Sequence, residues 1–307
     1  MALSTNLYLG KNKINQIYFE PTNLCNLKCP LCATSYGKYD KVGQIRLATF
    51  KKILKNIDEI LPQIKRFCLW GRGEPFLNKD IEKMIFLLST LKVYSVVNTN
   101  GLLLNKERIK ETLKSGLNEI IFSIDGLTQK TYAQYRVGGN LRQVLKNLAI
   151  FVQEKDKQKA KTKIIWQFLV MKHNEHELEE LKQKAKDFNV DKLIIKKIGH
   201  VDDEDVVKRM KDFLPRNKNF VRNHYLNFSE KNKTAKKCDW FNNGLTIFWD
   251  GKVVSCNYDV YAKTIYGNII EDKLDDILKN KKRKINNLCL NCASDDVKGE
   301  IIELSKK

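Results

Sequence analysis

Long hydrophobic runs, proline and histidine are all scarce in this chain. The longest apolar runs, such as 84–88, fall far short of the roughly 18 residues that cross a bilayer. The N-terminal residues contain no apolar signal-peptide core, so we expect no secretory signal and a cytoplasmic location. Five prolines and 15 glycines in 307 residues exclude a collagenous or low-complexity chain. The eight cysteines are therefore expected to be reduced, and to be metal ligands or core residues rather than disulfides.

Positive charge is in clear excess. Lys and Arg total 56 against 36 Asp and Glu, which gives a formal net charge of +20. A basic surface can attract nucleic acid or an acidic substrate. No RRM, KH, zinc-finger or helix-turn-helix pattern supports nucleic-acid binding. We therefore interpret the excess as a solvated lysine-rich surface, with nucleic acid not expected as a partner.

Short apolar runs alternate with stretches of helical periodicity over residues 14–198. Strands are predicted at 16–19, 66–70, 93–97, 119–124, 163–170 and 192–195, and helices at 47–60, 81–91, 107–113, 141–153 and 175–188. This alternation predicts an α/β fold with a parallel sheet, either an open doubly wound sheet or a partial barrel. In both cases the functional site should lie at the C-terminal ends of the strands.

The alternation stops after residue 198. Residues 199–237 begin acidic and end basic, and we interpret them as a connector with some helix. Residues 238–307 form a second, smaller unit, with a β-hairpin predicted around Asp250-Gly251 and a helix near 274–279. The expected domains are therefore 1–198, the connector 199–237, and 238–307.

Three cysteines follow the first predicted strand directly, in the segment CNLKCPLC. Cys25, Cys29 and Cys32 can converge on one metal centre. A structural zinc ion takes four ligands, and no fourth Cys or His is nearby. Iron–sulfur clusters are also held by thiolates, and three cysteines on a four-iron cluster leave one iron open for a ligand. A zinc site completed by a distant residue, or plain buried cysteines, are the alternatives.

The CxxxCxxC spacing after a first strand resembles the radical S-adenosylmethionine (SAM) superfamily. That resemblance implies a partial (β/α)6 TIM barrel with a small C-terminal hairpin-plus-helix extension. It also implies a 4Fe–4S cluster whose open iron chelates SAM. An electron from the cluster then cleaves SAM to methionine and a 5′-deoxyadenosyl radical, which abstracts a hydrogen from the substrate. A low-potential one-electron donor such as flavodoxin or ferredoxin would supply the electron.

Further positions resemble the SAM-binding motifs of that family. In GRGEP, Gly71 and Gly73 let the backbone approach a ligand closely, and Glu74 would contact the methionine amino group. Arg72 departs from the small residue usual at its position. The resemblance also assigns roles around the pocket to Asn98, Asn100, Ser123, Asp125 and Arg136.

The resemblance implies a different role for each residue after the GRGEP motif. Asn98 and Asn100 would lie near SAM, although an Asn-Gly turn is an alternative. Ser123 would meet the ribose, and Asp125 would face the active site. Arg136 would reach the SAM carboxylate; a surface arginine is the alternative. Asn174 resembles a recurrent Asn after the fifth strand, or is a helix N-cap.

Four cysteines remain in the C-terminal unit: Cys238, Cys256, Cys289 and Cys292. Alone they would suggest a zinc ribbon. Beside the first motif they resemble the SPASM or twitch extension of radical SAM enzymes. Four thiolates can fully ligate one auxiliary 4Fe–4S cluster, whose expected role is electron transfer. The one-cluster form is similar to that of 2-deoxy-scyllo-inosamine dehydrogenase.

This resemblance implies an oxidoreductase that dehydrogenates a small molecule or sugar. The oxidation needs a base, for which Lys196, His200 and Asp202, at the end of the sixth strand, are candidates together with Lys197. A peptide-modifying maturase and a radical epimerase are alternatives. An epimerase needs a hydrogen donor inside the barrel, for which Cys68 is a candidate; otherwise Cys68 is a buried small hydrophobe.

Overall fold

The computed structural model describes residues 14–39, 41–199, 203–222, 238–283 and 300–304. Six parallel strands form the centre of one sheet in the order β6-β5-β4-β3-β2-β1. They are β1 (Gln16–Phe19), β2 (Arg66–Leu69), β3 (Ser95–Thr99), β4 (Glu119–Ser123), β5 (Lys163–Leu169) and β6 (Lys192–Lys196). A doubly wound sheet reverses its strand order at a switch point, and this order has no reversal. The partial barrel is therefore confirmed.

Helices connect these strands and cover one face of the sheet. The helices are α1 (Leu47–Asn56), α2 (Ile81–Thr90), α3 (Lys106–Lys114), α4 (Gln129–Tyr135), α5 (Leu141–Gln158), α6 (Leu178–Asp187), α7 (Glu204–Phe213), α8 (Asp239–Asn243) and α9 (Leu274–Arg283). Within the described ranges, no helix is both long and apolar enough to cross a membrane.

The third strand lies two residues later than predicted. Apolar Val93 does not begin it, because its N–H bonds to the carbonyl of Leu88 at 2.9 Å and closes the end of α2. The strand instead runs into polar Asn98 and Thr99. Polar residues are tolerated there because they meet other polar groups at the C-terminal end of the barrel.

Aromatic residues anchor the sheet to its helices. Phe19 packs edge-on against Phe50 of α1 with ring centroids 5.0 Å apart, and Phe122 packs against Phe151 of α5 at 5.7 Å. All four side chains are fully buried. Such rings remove large apolar areas from water, which fixes the helical layer on the outside of the barrel.

The inner face of the barrel has an apolar layer and a polar layer. Cys68, Val96, Ile121 and Ile165 pack together in the apolar layer. Two residues farther along β3, β4 and β5 lie Asn98, Ser123 and Gln167, in the polar layer nearer the C-terminal ends of the strands. The apolar layer is thus the floor beneath the expected site.

The C-terminal unit continues the barrel sheet. Strand β7 (Gly244–Ile247) pairs in parallel with β1, with Gln16 opposite Gly244. Antiparallel strands β8 (Lys252–Val254) and β9 (Ile265–Asn268) follow, so the predicted hairpin is present. Its turn places Gly251 at φ +86°, a conformation that favours glycine. Strand β10 (Glu300–Glu303), which we did not predict, pairs antiparallel with β6 at the other edge.

Candidate active site and cluster-binding loop

The three-cysteine loop leaves the C-terminal end of β1, as expected for a site on a parallel barrel. Cys25, Cys29 and Cys32 are free thiols. Burial raises the pKa of Cys25 to about 12 and that of Cys29 to about 11. Thiols held in their protonated form must lose a proton to bind iron, so cluster binding releases protons here.

Hydrogen-bond donors already point at these sulfurs. The N–H of Leu27 donates to Sγ of Cys25 at 3.4 Å, and Nη1 of Arg136 lies 3.9 Å from Sγ of Cys29. Such contacts stabilise the thiolate form and tune a bound cluster. The donor set therefore fits an iron–sulfur cluster.

The spacing of the thiols also bears on which metal centre they suit. In the described ranges, no three Cys, His, Asp or Glu side chains are placed to hold a single metal ion. The cysteines of a 4Fe–4S cluster each bind a different iron, so they stand farther apart than the ligands of one ion. This geometry gives no support to a zinc site formed by these three cysteines and another described residue.

The GRGEP loop packs against the backbone that leads into Cys25. A Cβ on Gly73 would overlap the carbonyl oxygens of Thr22 and Leu24, and the N–H of Glu74 donates to Leu24 at 2.8 Å. We expected the two glycines to admit a ligand. That role stays a prediction; in this structure a Cβ on Gly71 would also lie 2.7 Å from the Cβ of Glu20, so both glycines permit close packing of neighbouring segments.

Glu74 is a buried carboxylate oriented by three donors. It is 3% exposed and accepts from the N–H of Phe76 at 3.2 Å, the hydroxyl of Thr99 at 2.7 Å and the N–H of Asn100 at 2.8 Å. Burial raises its pKa above the usual value, and these hydrogen bonds oppose the rise. Among the described residues it forms no ion pair, so an ammonium group would suit this carboxylate.

Asn100 links that carboxylate to the cysteine loop. Its Nδ2 donates to Oδ1 of Asn26 at 2.8 Å, and its Oδ1 accepts from the N–H of Leu102 at 3.0 Å. The side chain thus holds two loops together. Its predicted place beside SAM stays a prediction.

Arg136 and Asp125 form a buried ion pair beside Cys29. Nε of Arg136 donates to Oδ2 of Asp125 at 2.6 Å, and the other oxygen of Asp125 accepts from the N–H of Leu169 at 2.7 Å. Arg136 also lowers the pKa of Glu74. Asp125 therefore positions Arg136, and the side chains of Arg136 and Glu74 place opposite charges in one region.

Asn98 and Ser123 lie side by side in the polar layer of the barrel. The hydroxyl of Ser123 donates to Oδ1 of Asn98 at 2.7 Å and accepts from Nε2 of Gln167 at 3.3 Å.

Asn174 lies outside this polar layer, at the ends of β4 and β5. Its Nδ2 donates to the carbonyls of Asp125 at 3.1 Å and Leu169 at 2.8 Å, with no capping bond. Asn174 thus fastens the ends of β4 and β5.

Lys196, at the C-terminal end of β6, extends the polar layer. Burial lowers its pKa, and the nearby charge of Arg222 lowers it further. His200 and Asp202, the other two candidate bases, lie outside the described residues. We did not predict Arg222, because an arginine within a lysine-rich connector carries no local signal.

The second cysteine set adjoins β7 and β8. Sγ of Cys238 accepts from the N–H of Phe241 at 3.4 Å, and Cys256 follows β8. Lys281 of α9 is buried, and burial lowers its pKa to about 8. The charges of Cys238 and Cys256 oppose this shift. Cys289 and Cys292 lie outside the described residues. We did not predict a role for Lys281, because the sequence does not distinguish it from the other lysines at the end of this helix.

Comparisons with known proteins agree with this geometry. The family model described as the Radical SAM superfamily matches residues 19–185, and that of the SPASM iron–sulfur cluster-binding domain matches residues 238–294. A tungsten-containing aldehyde ferredoxin oxidoreductase cofactor-modifying protein of Pyrococcus furiosus is 25% identical over 271 residues, or 82% of this chain and 74% of that protein.

Two solved structures share the fold. BtrN in complex with AdoMet and 2-DOIA has a TM-score of 0.55 at 19% identity, over 91% of this chain and 87% of that one. Streptococcus suis SuiB bound to S-adenosylmethionine has a TM-score of 0.66 at 16% identity, over 92% and 71%. Since the first family model covers more than half of the sequence, the chain belongs to the radical SAM superfamily and carries a C-terminal SPASM domain.

Proposed function

We propose that this radical SAM enzyme oxidises a small molecule by two electrons. The observation that supports this is the second thiol site at β7 and β8, where the charges of Cys238 and Cys256 both act on the pKa of the buried Lys281. A SPASM domain implies an auxiliary 4Fe–4S cluster in addition to the SAM-binding one. An oxidation needs such an electron acceptor, whereas an epimerisation does not.

A 4Fe–4S cluster held by Cys25, Cys29 and Cys32, together with SAM, would supply the radical chemistry, and an auxiliary cluster held in part by Cys238 and Cys256 would supply an acceptor for one electron. The protein residues bind and orient. Glu74 would hold the ammonium group of SAM and Arg136 its carboxylate, because the two side chains offer opposite charges beside the cysteine loop.

A proton must also leave the substrate. Lys196 is the described residue best suited to accept it, because its lowered pKa increases the fraction of neutral amine near neutral pH. Its place at the end of β6 sets it beside the polar layer of Asn98, Ser123 and Gln167. Those three side chains would orient the hydroxyl of a substrate by hydrogen bonds.

The same site could serve other substrates of this superfamily. SuiB has also been solved with its precursor peptide SuiA, which makes a peptide the second candidate substrate. Cys68 lies on the inner face but in the apolar layer, 2% exposed, and burial raises its pKa to about 12. It is beneath the polar layer, which argues against a role as hydrogen donor.

A product-mass experiment tests the proposal. The reconstituted enzyme is incubated anaerobically in D2O with SAM, dithionite and a panel of sugars, aminocyclitols and short peptides, and compounds that stimulate 5′-deoxyadenosine formation are kept. We expect a product lighter by two hydrogen atoms, lost in Cys256→Ala but retained in Cys68→Ala. A product of unreduced hydrogen count that carries deuterium, and that is lost in Cys68→Ala, would establish an epimerase instead.

A further inference from the structure

Arg222 is a buried cation for which the described residues supply no counter-charge. It follows a short 3-10 turn, Lys218–Phe220, and only 1% of its surface is exposed. Across the described part of the chain, none of its three guanidinium nitrogens has a hydrogen-bond partner. An arginine cannot shed its proton to escape this cost. Buried charges in folded proteins are paired almost without exception, so the missing partner calls for an explanation.

The surroundings of Arg222 place it at the mouth of the barrel. Its guanidinium carbon lies 5.8 Å from the ring centroid of Tyr258. That ring in turn stands against Gly199, just beyond β6, where an added Cβ would lie 3.3 Å from it. The preceding residue, Val221, packs in the same cluster as Cys29 of the cysteine loop. Arg222 thus sits where the cysteine loop, the end of β6 and the SPASM domain meet.

A second basic side chain lies in the same region. Lys196 is close enough for Arg222 to lower its pKa. The acid that also acts on Lys196 is Asp125, and both of its oxygens are already engaged, by Arg136 and by the N–H of Leu169. Two basic side chains therefore share a region in which the described residues supply no free carboxylate.

We propose that Arg222 binds an oxyanion, a carboxylate or a phosphate, carried by the substrate. This rests on the proposed function only in assuming that a substrate occupies the mouth of the barrel. A planar guanidinium can bind two oxygens of such a group at once. The ring of Tyr258 would lie against the same guanidinium and help to fix its plane. The substrate class is then acidic.

Inorganic phosphate and acetate are the probes of the test. Thermal unfolding of the cluster-loaded enzyme is followed with increasing amounts of each, at an ionic strength held constant with sodium chloride. The variants are Arg222→Met and Arg222→Lys, with the exposed Arg142→Gln on α5 as the matched control. The iron content of every variant is measured beside its melting temperature.

We expect phosphate, acetate or both to raise the melting temperature of the wild type and of Arg142→Gln. The stronger probe identifies the oxyanion class. Arg222→Met should weaken the response about tenfold or more, and Arg222→Lys should retain part of it. Without anion, Arg222→Met should melt at the same temperature as the wild type or above it, because it removes an uncompensated buried charge.

Three results would overturn the proposal. They are a wild type that responds to neither anion, an unchanged response in Arg222→Met, and a loss of iron or of anion-free stability in that variant. The last would show that the arginine pairs with the auxiliary cluster or with another part of the chain. The product-mass experiment tests the proposed function separately, since its outcome does not depend on inorganic phosphate or acetate.

Discussion

Both carboxylate oxygens of Glu20 bind the guanidinium of Arg72. Nε and Nη2 of Arg72 each lie 2.6 Å from a different oxygen, and Nη1 donates to the carbonyl of Val260 at 2.7 Å. The guanidinium also stacks over the ring of Phe248, 3.7 Å from its centroid. The arginine that departs from the family motif thus joins the end of β1 and the GRGEP loop to the SPASM domain.

Breaking this ion pair should destabilise the protein strongly. Arg72→Met leaves the buried carboxylate of Glu20 uncompensated, for which we expect a loss of about 3–5 kcal/mol in the free energy of unfolding. The double variant Glu20→Gln/Arg72→Met should recover part of it. Chemical denaturation measures both, with Lys114→Met, an exposed partner of Glu111, as the control. Equal losses in the single and double variants would show that the two side chains do not act as a pair.

Gly73→Ala should disrupt the cysteine loop. Its Cβ would overlap two backbone carbonyls just before Cys25, so the loop must shift. We expect fewer irons per chain after reconstitution and loss of SAM cleavage. Gly37→Ala is the control, because open space surrounds Gly37 and only the moderate strain of its φ of +61° is added. Full iron loading of Gly73→Ala would contradict the close packing of the two loops.

Glu74 should make SAM binding depend on pH. Protonation removes the charge that would hold the ammonium group. Burial raises the pKa of Glu74 above the 4.5 of an ordinary glutamate side chain. SAM affinity should therefore fall as the pH is lowered toward that raised pKa, and recover above it. Glu74→Gln should bind weakly at every pH. The exposed Glu111→Gln should behave as the wild type. Equilibrium binding of radiolabelled SAM measures this, and a flat wild-type profile would exclude the assignment.

Lys281 should raise the reduction potential of the auxiliary cluster. A cation beside Cys238 and Cys256 stabilises the more negative, reduced cluster. Lys281→Met should lower the potential by on the order of tens of millivolts. The half-buried Lys279→Met on the same helix, whose ammonium group pairs with Asp276, should not. An EPR-monitored redox titration of protein that lacks the three loop cysteines measures this cluster alone. An unchanged potential would place the cluster away from Lys281.

The sequence predicted the features that depend on neighbouring residues, which are the secondary-structure elements and the local motifs. The six barrel strands and five of the helices between them follow from apolar spacing, whereas α4 was not predicted; the cysteine loop and Glu74 follow from motifs. Pairing between distant segments could not be predicted. Strand β7 joins β1 across more than two hundred residues, and strand β10 is a four-residue edge strand with weak alternation. The polar layer was foreseen only in part, because Gln167 belongs to no motif.

The buried cations could not be predicted from the sequence for a different reason. Arg222 and Lys281 lie among many other lysines and arginines, and only three-dimensional packing distinguishes them from solvated charges. Arg72 was recognised as a departure from the motif, yet its partners Glu20 and Val260 come from opposite ends of the chain. The close packing of Gly73 against the backbone before Cys25, and of Gly71 against Glu20, also could not be predicted from the sequence.

We expect the chain to hold one open and one fully ligated four-iron cluster. Anaerobic iron and sulfide quantification of the reconstituted protein, with EPR spectra recorded with and without SAM, tests it most directly. We predict about eight irons per chain and one EPR signal that SAM shifts. Replacing Cys25, Cys29 and Cys32 with Ala should leave about four irons and no shift. About four irons with bound zinc in the wild type would contradict the claim, since no auxiliary cluster would then be present to accept an electron.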